Sequence, residues 1–97
     1  MPAKVSIDRE DVNGVHEFVL RIDGERHGFL EFTRPENGVL RIEYVEVSPE
    51  LRGTGLGRQL VQKAIDFAKE AGLRVVPICG YARMVIARDP AMSALTR

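Results

Sequence analysis

Arg52-Gly53-Thr54-Gly55-Leu56-Gly57-Arg58 sets three alternating glycines between two arginines, directly ahead of a run with helical periodicity. Glycine carries no side chain, so at a helix entrance it leaves backbone N–H groups uncovered at the positive end of the dipole, where an anion can sit. Arg52 and Arg58 add forked donors that match phosphate oxygens. A glycine-rich turn that merely starts a packing helix would use the same residues, so the pattern alone leaves both readings open. Two phosphate motifs are excluded by spacing. A dinucleotide fingerprint needs glycine where Arg58 stands, and a P-loop needs Gly-Lys followed by Ser or Thr, a triplet absent from the chain.

Cys79 is the second group with chemistry in reach. It closes the run Arg74-Val75-Val76-Pro77-Ile78-Cys79 and stands just before a predicted helix. A buried cysteine is commonly a small hydrophobe. A helix N-terminus, however, favours thiolate over thiol, and thiolate is the nucleophile. Glu43 and Glu46 are candidate bases, and Tyr81 a candidate proton donor or a packing ring. His16 and His27 lie far from the glycine loop in sequence, and no Cys/His cluster has metal-ligand spacing, so no metal is expected.

The elements that must position these groups follow from the apolar pattern. Leu56, Leu60, Val61, Ala64, Ile65, Ala68 and Ala71 recur at three- and four-residue spacing, which predicts an amphipathic helix over 56–71 with Gly72 as its left-handed cap. Before it the chain reads as strands. Val5 and Ile7 predict a short first strand, ended by a polar turn over 8–14. Phe18, Leu20 and Ile22 alternate with polar or smaller residues, Asp23-Gly24-Glu25 marks a hairpin, 27–33 is the next strand, and Asn37-Gly38 turns again. In the strand from Val39 to Val47, Leu40, Ile42 and Tyr44 share one face, then the apolar phase slips to Val45 and Val47. A slip of one residue needs a β-bulge, predicted near Tyr44–Glu46; a strand buried on both faces is the alternative. Strand 74–79 should pair in parallel with strand 39–47 across the helix. Pro77 has no N–H for a ladder, a conflict that disappears if the two strands have parted by that point, leaving a cleft. Residues 81–89 form a short helix ended by Pro90, and 91–97 remain unassigned.

The segment Arg52-Gly53-Thr54-Gly55-Leu56-Gly57 matches the R/Q-x-x-G-x-G/A pyrophosphate loop of the GNAT acyltransferase superfamily, and the chain resembles that superfamily in the strand before the loop and the helix after it. Val75–Cys79 and Tyr81-Ala82-Arg83 resemble a small single-domain branch in which a cysteine closes the strand after the helix. The likeness is close over about 40–90 and looser before it. It implies a fold and a site. The fold is α+β, a compact acyl-CoA N-acyltransferase-like arrangement with a mixed, mostly antiparallel sheet, two helices in the second half and a splayed parallel strand pair. In the site, Arg52, Gly53, Thr54, Gly55, Leu56, Gly57 and Arg58 hold the pyrophosphate of acetyl-CoA, and the backbone of Val45 and Val47, freed by the bulge, bonds its pantetheine arm. Cys79 is the implied nucleophile and Tyr81 the implied acid for the departing thiolate. Where the branch commonly carries a histidine on the bulged strand, this chain has Tyr44, which weakens the case for turnover.

At 97 residues the chain makes one shortened domain, 1–97, with room for a modest core. Net charge is zero, which gives no general attraction to nucleic acid or membrane. The charge is uneven: residues 1–48 hold six Lys/Arg against ten Asp/Glu, and residues 49–97 hold eight against four, so the positive excess lies with the glycine loop. One cysteine fits a reducing compartment, and the cytoplasm is the default location. A monomer or weak homodimer is expected. The chain has no room for the two helices that usually wall off the acceptor in the superfamily, so the acceptor side should be open. The resulting expectation is an N-acetyltransferase acting on an amine, small or on a protein. Its alternatives are a non-catalytic acyl-CoA-binding module and an interaction domain that keeps only the fold.

Overall fold

Asn13-Gly14 and Asp23-Gly24 set where the first strands turn. All four residues have positive φ, 52° and 79° in the first pair and 51° and 83° in the second, the backbone that two-residue hairpins require. The computed structural model describes residues 2–96. The hairpins join β1 (Val5–Val12), β2 (Val15–Ile22) and β3 (Glu25–Thr33), and β4 (Val39–Val47) follows. A 3-10 turn, Pro49–Leu51, leads to the long helix α1 (Leu56–Ala71), the short strand β5 (Arg74–Pro77), α2 (Gly80–Ala87) and the single turn α3 (Pro90–Ser93). The sheet runs β1-β2-β3-β4-β5, antiparallel except for the parallel pair β4–β5.

β1 is longer than its apolar residues suggest, continuing through the acidic stretch to Val12. It is an edge strand, so it pairs along one side only and tolerates charge on its surface. The arginine and carboxylate that disguise it in sequence have partners: the Arg9 guanidinium lies 4.9 Å from the Phe67 ring centroid, and His16 Nδ1 sits 2.9 Å from an Asp11 oxygen. α1 spans the range its periodicity predicts. Leu60, Val61, Ala64, Ile65 and Ala68 are buried, and the helix stops at Gly72, φ 71°, whose N–H bonds Ala68 O and Lys69 O. Leu73 N–H then reaches back to Ala68 O at 2.8 Å, closing a Schellman-type end. α2 ends at Ala87 rather than at Asp89, because Asp89 caps α3: its carboxylate accepts from the N–H groups of Ala91 and Met92.

One apolar cluster joins Phe18, Leu20, Leu30, Phe32, Leu40 and Ile42 of the sheet to residues of α1, α2 and α3. The expected bulge is present but lies earlier than the range near Tyr44–Glu46. β3 and β4 pair Phe32 with Ile42 and Glu31 with Tyr44, so Glu43 is the extra residue. Tyr44, expected beside Leu40 and Ile42, is consequently turned to the opposite face and 53% exposed, while Val45 and Val47 come round to pack against the cluster.

The Glu43 carboxylate fastens this irregularity. It accepts from Thr33 Oγ1 at 2.7 Å and pairs with the Arg41 guanidinium. The Thr33 hydrogen bond, with Arg41 helping, holds its pKa below the ordinary 4.5 despite partial desolvation. A carboxylate with a depressed folded-state pKa stabilises the fold above its unfolded value and loses that contribution as pH falls through the folded value. Glu43→Gln should therefore lower the melting temperature most above about pH 5, and the gap to the parent should close progressively in more acid buffer. Melting curves across a pH series check this; a gap that stays constant would show that the carboxylate charge does not fasten the bulge.

Candidate functional site

The edge of β4 past Ile42 is where the site begins. Pairing with β5 ends at Ile42 opposite Pro77, and the next two amides, Ile78 N–H and Cys79 N–H, both turn onto Ile42 O at 3.0 and 3.2 Å. Pro77, lacking a donor, stands at the parting, as its presence in the strand foretold. On the other side, Ser48 N–H bonds His27 O at 2.8 Å. Bonded and unbonded pairs alternate along an antiparallel ladder. In this register Phe29–Glu46 is then a bonded pair, and Leu30–Val45 and Gly28–Val47 are unbonded ones. The N–H and C=O groups of Val45 and Val47 thus point away from β3, into the space that β5 has left. Ile42 faces the same way, and the bulge at Glu43 restores the alternation beyond it.

Opposite this edge stands the entrance of α1. Gly53 and Gly55 have φ of 81° and 84°, and Gly55 is the N-cap, with no side chain capping the helix and no acidic residue in its first turn. The first intrahelical bond is Gln59 N–H to Gly55 O at 3.1 Å. The preceding amides of the first turn have no helical acceptor, and among the described residues only Leu56 N–H has a side-chain neighbour, Thr54 Oγ1 at a long 3.4 Å. Left-handed backbone at Gly55 means that the turn itself calls for glycine there. A Gly55→Val change would strain the helix entrance and could not test ligand seating alone. Gly57 differs: its φ is helical, but an added Cβ would lie 2.7 Å from the Tyr81 hydroxyl and 3.1 Å from Cζ, so its glycine makes room for the Tyr81 ring.

A groove of about 650 Å³ runs between these two features, lined by Tyr44, Val45, Glu46, Val47, Leu51, Arg52, Gly53, Gly55, Gly57 and Tyr81. Of the residues singled out in sequence, Val45, Val47, Arg52, Gly53, Gly55, Gly57 and Tyr81 meet there. Thr54, Leu56, Arg58 and Cys79 do not line it. Thr54 Oγ1 donates to Leu51 O at 2.6 Å and braces the loop, and Leu56 packs against the core cluster. Arg58 is paired with Asp89 at 2.8 Å, tying the start of α1 to the cap of α3. Cys79 is half-buried, packs against the core cluster and stands as N-cap residue of α2, at the point where β4 and β5 separate. Glu43, considered as a base, is engaged by Thr33 and Arg41, whereas Glu46 is exposed on the groove. Leu51 was not foreseen; its only signal was its place between the strand and the glycine loop. Among the described residues no group of three or more His, Cys, Asp or Glu is placed to hold a metal ion, and no helix is long and apolar enough to cross a membrane.

A mostly antiparallel sheet whose one parallel pair splays open against an uncapped, glycine-entered helix is the acyl-CoA N-acyltransferase arrangement. Comparison with known proteins agrees. Residues 17–95 match the family model described as GCN5-related N-acetyl-transferase, and the chain belongs to that family. It is 39% identical over 64 residues to streptothricin acetyltransferase of Streptomyces lavendulae, covering 65% of this chain and 34% of that protein. Protein NATD1 of Bos taurus is 26% identical over 97 residues, covering 99% of this chain and 82% of the relative. The chain spans about a third of the length of the streptothricin enzyme and of an uncharacterized N-acetyltransferase of Methanocaldococcus jannaschii, which it also resembles. Among solved structures, a GCN5-like putative N-acetyltransferase from Staphylococcus aureus superposes with a TM-score of 0.72 at 18% identity, over 97% of this chain and 87% of that one. The Escherichia coli N-acetyltransferase YhbS, solved in complex with CoA, gives 0.60 at 27% identity, over 70% and 43%.

Proposed function

We propose that the protein binds acetyl-CoA in this groove and transfers the acetyl group to an amine. The observation that carries the reading is that two sets of backbone groups face one groove: those of Gly53, Gly55 and Gly57 at the entrance of α1, and the outward groups of Val45 and Val47. The first set, with Arg52 beside it, suits a diphosphate. The second suits an amide-bearing chain laid along a strand edge, as a further strand would lie. The chemistry of the cosubstrate is that of an activated thioester. YhbS, which shares the fold, holds CoA, and that supports the assignment.

Two routes use the residues present. In the first, Cys79 Sγ as thiolate attacks the thioester carbonyl carbon. A new carbon–sulfur bond forms, the old one breaks, and the departing thiolate takes a proton from the Tyr81 hydroxyl. The amine then attacks the acetyl-cysteine, its proton returns to the Tyr81 phenolate, and Cys79 leaves as thiolate. One thioester replaces another, so the first step costs little. The position of Cys79 at the closed end of the splay, ahead of α2, favours this route. In the second, the amine attacks the thioester directly after losing its proton to Glu46, through water, and Tyr81 protonates the leaving group. The presence of Glu46 and Tyr81 on the groove wall, where Cys79 is not, favours the second.

Incubation with acetyl-CoA followed by intact-mass measurement separates the readings. A gain of one acetyl group, absent from Cys79→Ala, marks the covalent route. Thiol release with an amine present, undiminished in Cys79→Ala, marks the direct one. Binding without thiol release in either protein reduces the chain to an acyl-CoA-binding module, and absence of binding removes the assignment.

A further inference from the structure

The bulge at Glu43 does more than free two backbone edges. It sends Tyr44 and Glu46 to the sheet face opposite the helices, and both still line the groove. The groove therefore passes over the free edge of β4 and opens onto that far face. Tyr44, Phe29, Glu31 and Glu46 stand there, and none belongs to the core cluster that the helices share. We propose, building on the acetyltransferase reading, that this face docks the acceptor, and that the acceptor is a basic, lysine-bearing polypeptide segment.

Charge and aromatic surface carry the inference together. The Phe29 and Tyr44 rings stack with centroids 5.8 Å apart, and the Arg26 guanidinium lies 5.0 Å from the Phe29 centroid, so this aromatic patch already takes one cation against it. Tyr44 extends the patch to the groove mouth with more than half its surface exposed. Its cross-strand neighbour is Glu31, and Glu46 follows two residues along the same face. Elsewhere on this face Glu10 pairs with Arg21 and Glu17 with Arg26, but Glu31 and Glu46 make no ion pair among the described residues. Apart from Asp8 on the edge strand, the carboxylates of this face without an ion pair among the described residues thus stand on either side of Tyr44, an arrangement that complements an ammonium group. The surface is an open sheet without walls. A small amine would be held from one side only, whereas an extended chain adds contacts strand by strand, at about 4.8 Å per strand.

The test separates docking from transfer. A labelled peptide carrying three lysines spaced by glycines, and a glycine-serine peptide of equal length with one lysine, are titrated against the protein without cofactor. The basic peptide should bind at least tenfold more tightly, and should lose about tenfold in Glu31→Gln and more in Glu31→Lys, while coenzyme A affinity stays at the parent value in both. Tyr44→Ala should weaken the peptide severalfold. Equal binding of the two peptides, or indifference to Glu31→Lys, overturns the docking face. Spermidine displacing the basic peptide at equal charge concentration overturns the polypeptide assignment. Peptide docking that follows these variants in a protein that releases no thiol from acetyl-CoA leaves the face standing and removes the transfer reading. Acetyl transfer to peptides at rates indifferent to Glu31→Lys does the reverse.

Discussion

Gly57→Val should weaken coenzyme A binding by about 100-fold or more, equivalent to about 2.7 kcal/mol, and leave the fold standing. Gly57 has helical φ, so a valine there meets no backbone penalty, unlike one at the left-handed Gly55. What it meets is Tyr81: even the first carbon would lie 2.7 Å from the hydroxyl. Tyr81 is 39% exposed and sits in the first turn of α2, so its ring can swing outward with little loss of packing. Ring and branched side chain would then both occupy the groove between the α1 amides and the β4 edge. Titration calorimetry reads the affinity, and a thermal melt confirms that the fold persists. Gly57→Ala alone should show a smaller loss, and combining it with Tyr81→Ala should recover part of it, because the crowding partner is gone. Parent-like affinity in Gly57→Val would mean that the diphosphate does not sit at this helix entrance.

How much of this was legible in the chain depends on whether the signal was local. α1 was legible from end to end, because a sustained apolar stripe lay between Gly55 and Gly72, and both glycines adopt the left-handed backbone that stops a helix. The parting of β4 and β5 was legible because proline withholds a donor, a property of one residue. The bulge was legible as a slip of phase but not in position. Apolar spacing shows that one residue is extra somewhere between Ile42 and Val45, and only the partner strand decides that it is Glu43. Tyr44 was misplaced for the same reason: two-residue alternation carried it to the core face when the extra residue had already reversed it. β1 was cut short because an edge strand needs no apolar alternation. The Arg58–Asp89 pair joins residues 31 apart in sequence, and nothing local announced that Arg58 is engaged there. Of the groove, the glycine side could be read directly; the participation of Tyr44, Glu46 and Leu51 in one surface depends on the bulge and the turn after it.

Phe32→Ala should be the most destabilising single change on the sheet, about 3–5 kcal/mol, because it empties a site at the centre of the aromatic packing. Phe32 is 1% exposed, and its ring lies 5.2 Å from His16, 5.6 Å from Phe18 and 5.7 Å from Phe67, centroid to centroid. It pairs with Ile42, the last β4 residue before the bulge, so the cavity would open beneath the point where β4 leaves β5. Domains of this size are held by about 5–15 kcal/mol, so the loss would consume much of the margin. At about 4–8 °C per kcal/mol the melting temperature should fall by about 12 °C or more. Tyr44→Ala is the matched control, an aromatic residue on the adjoining strand that the bulge has turned out of the core, and with only its stack on Phe29 to lose it should cost about 0.5–1.5 kcal/mol. The contrast tests the register itself. If β4 kept unbroken alternation, Tyr44 would share the face of Leu40 and Ile42 and its removal would cost nearly as much as that of Phe32. Comparable melting shifts for the two variants would therefore place the extra residue elsewhere on β4, and with it the outward amides of Val45 and Val47 on which the proposed cofactor seat depends.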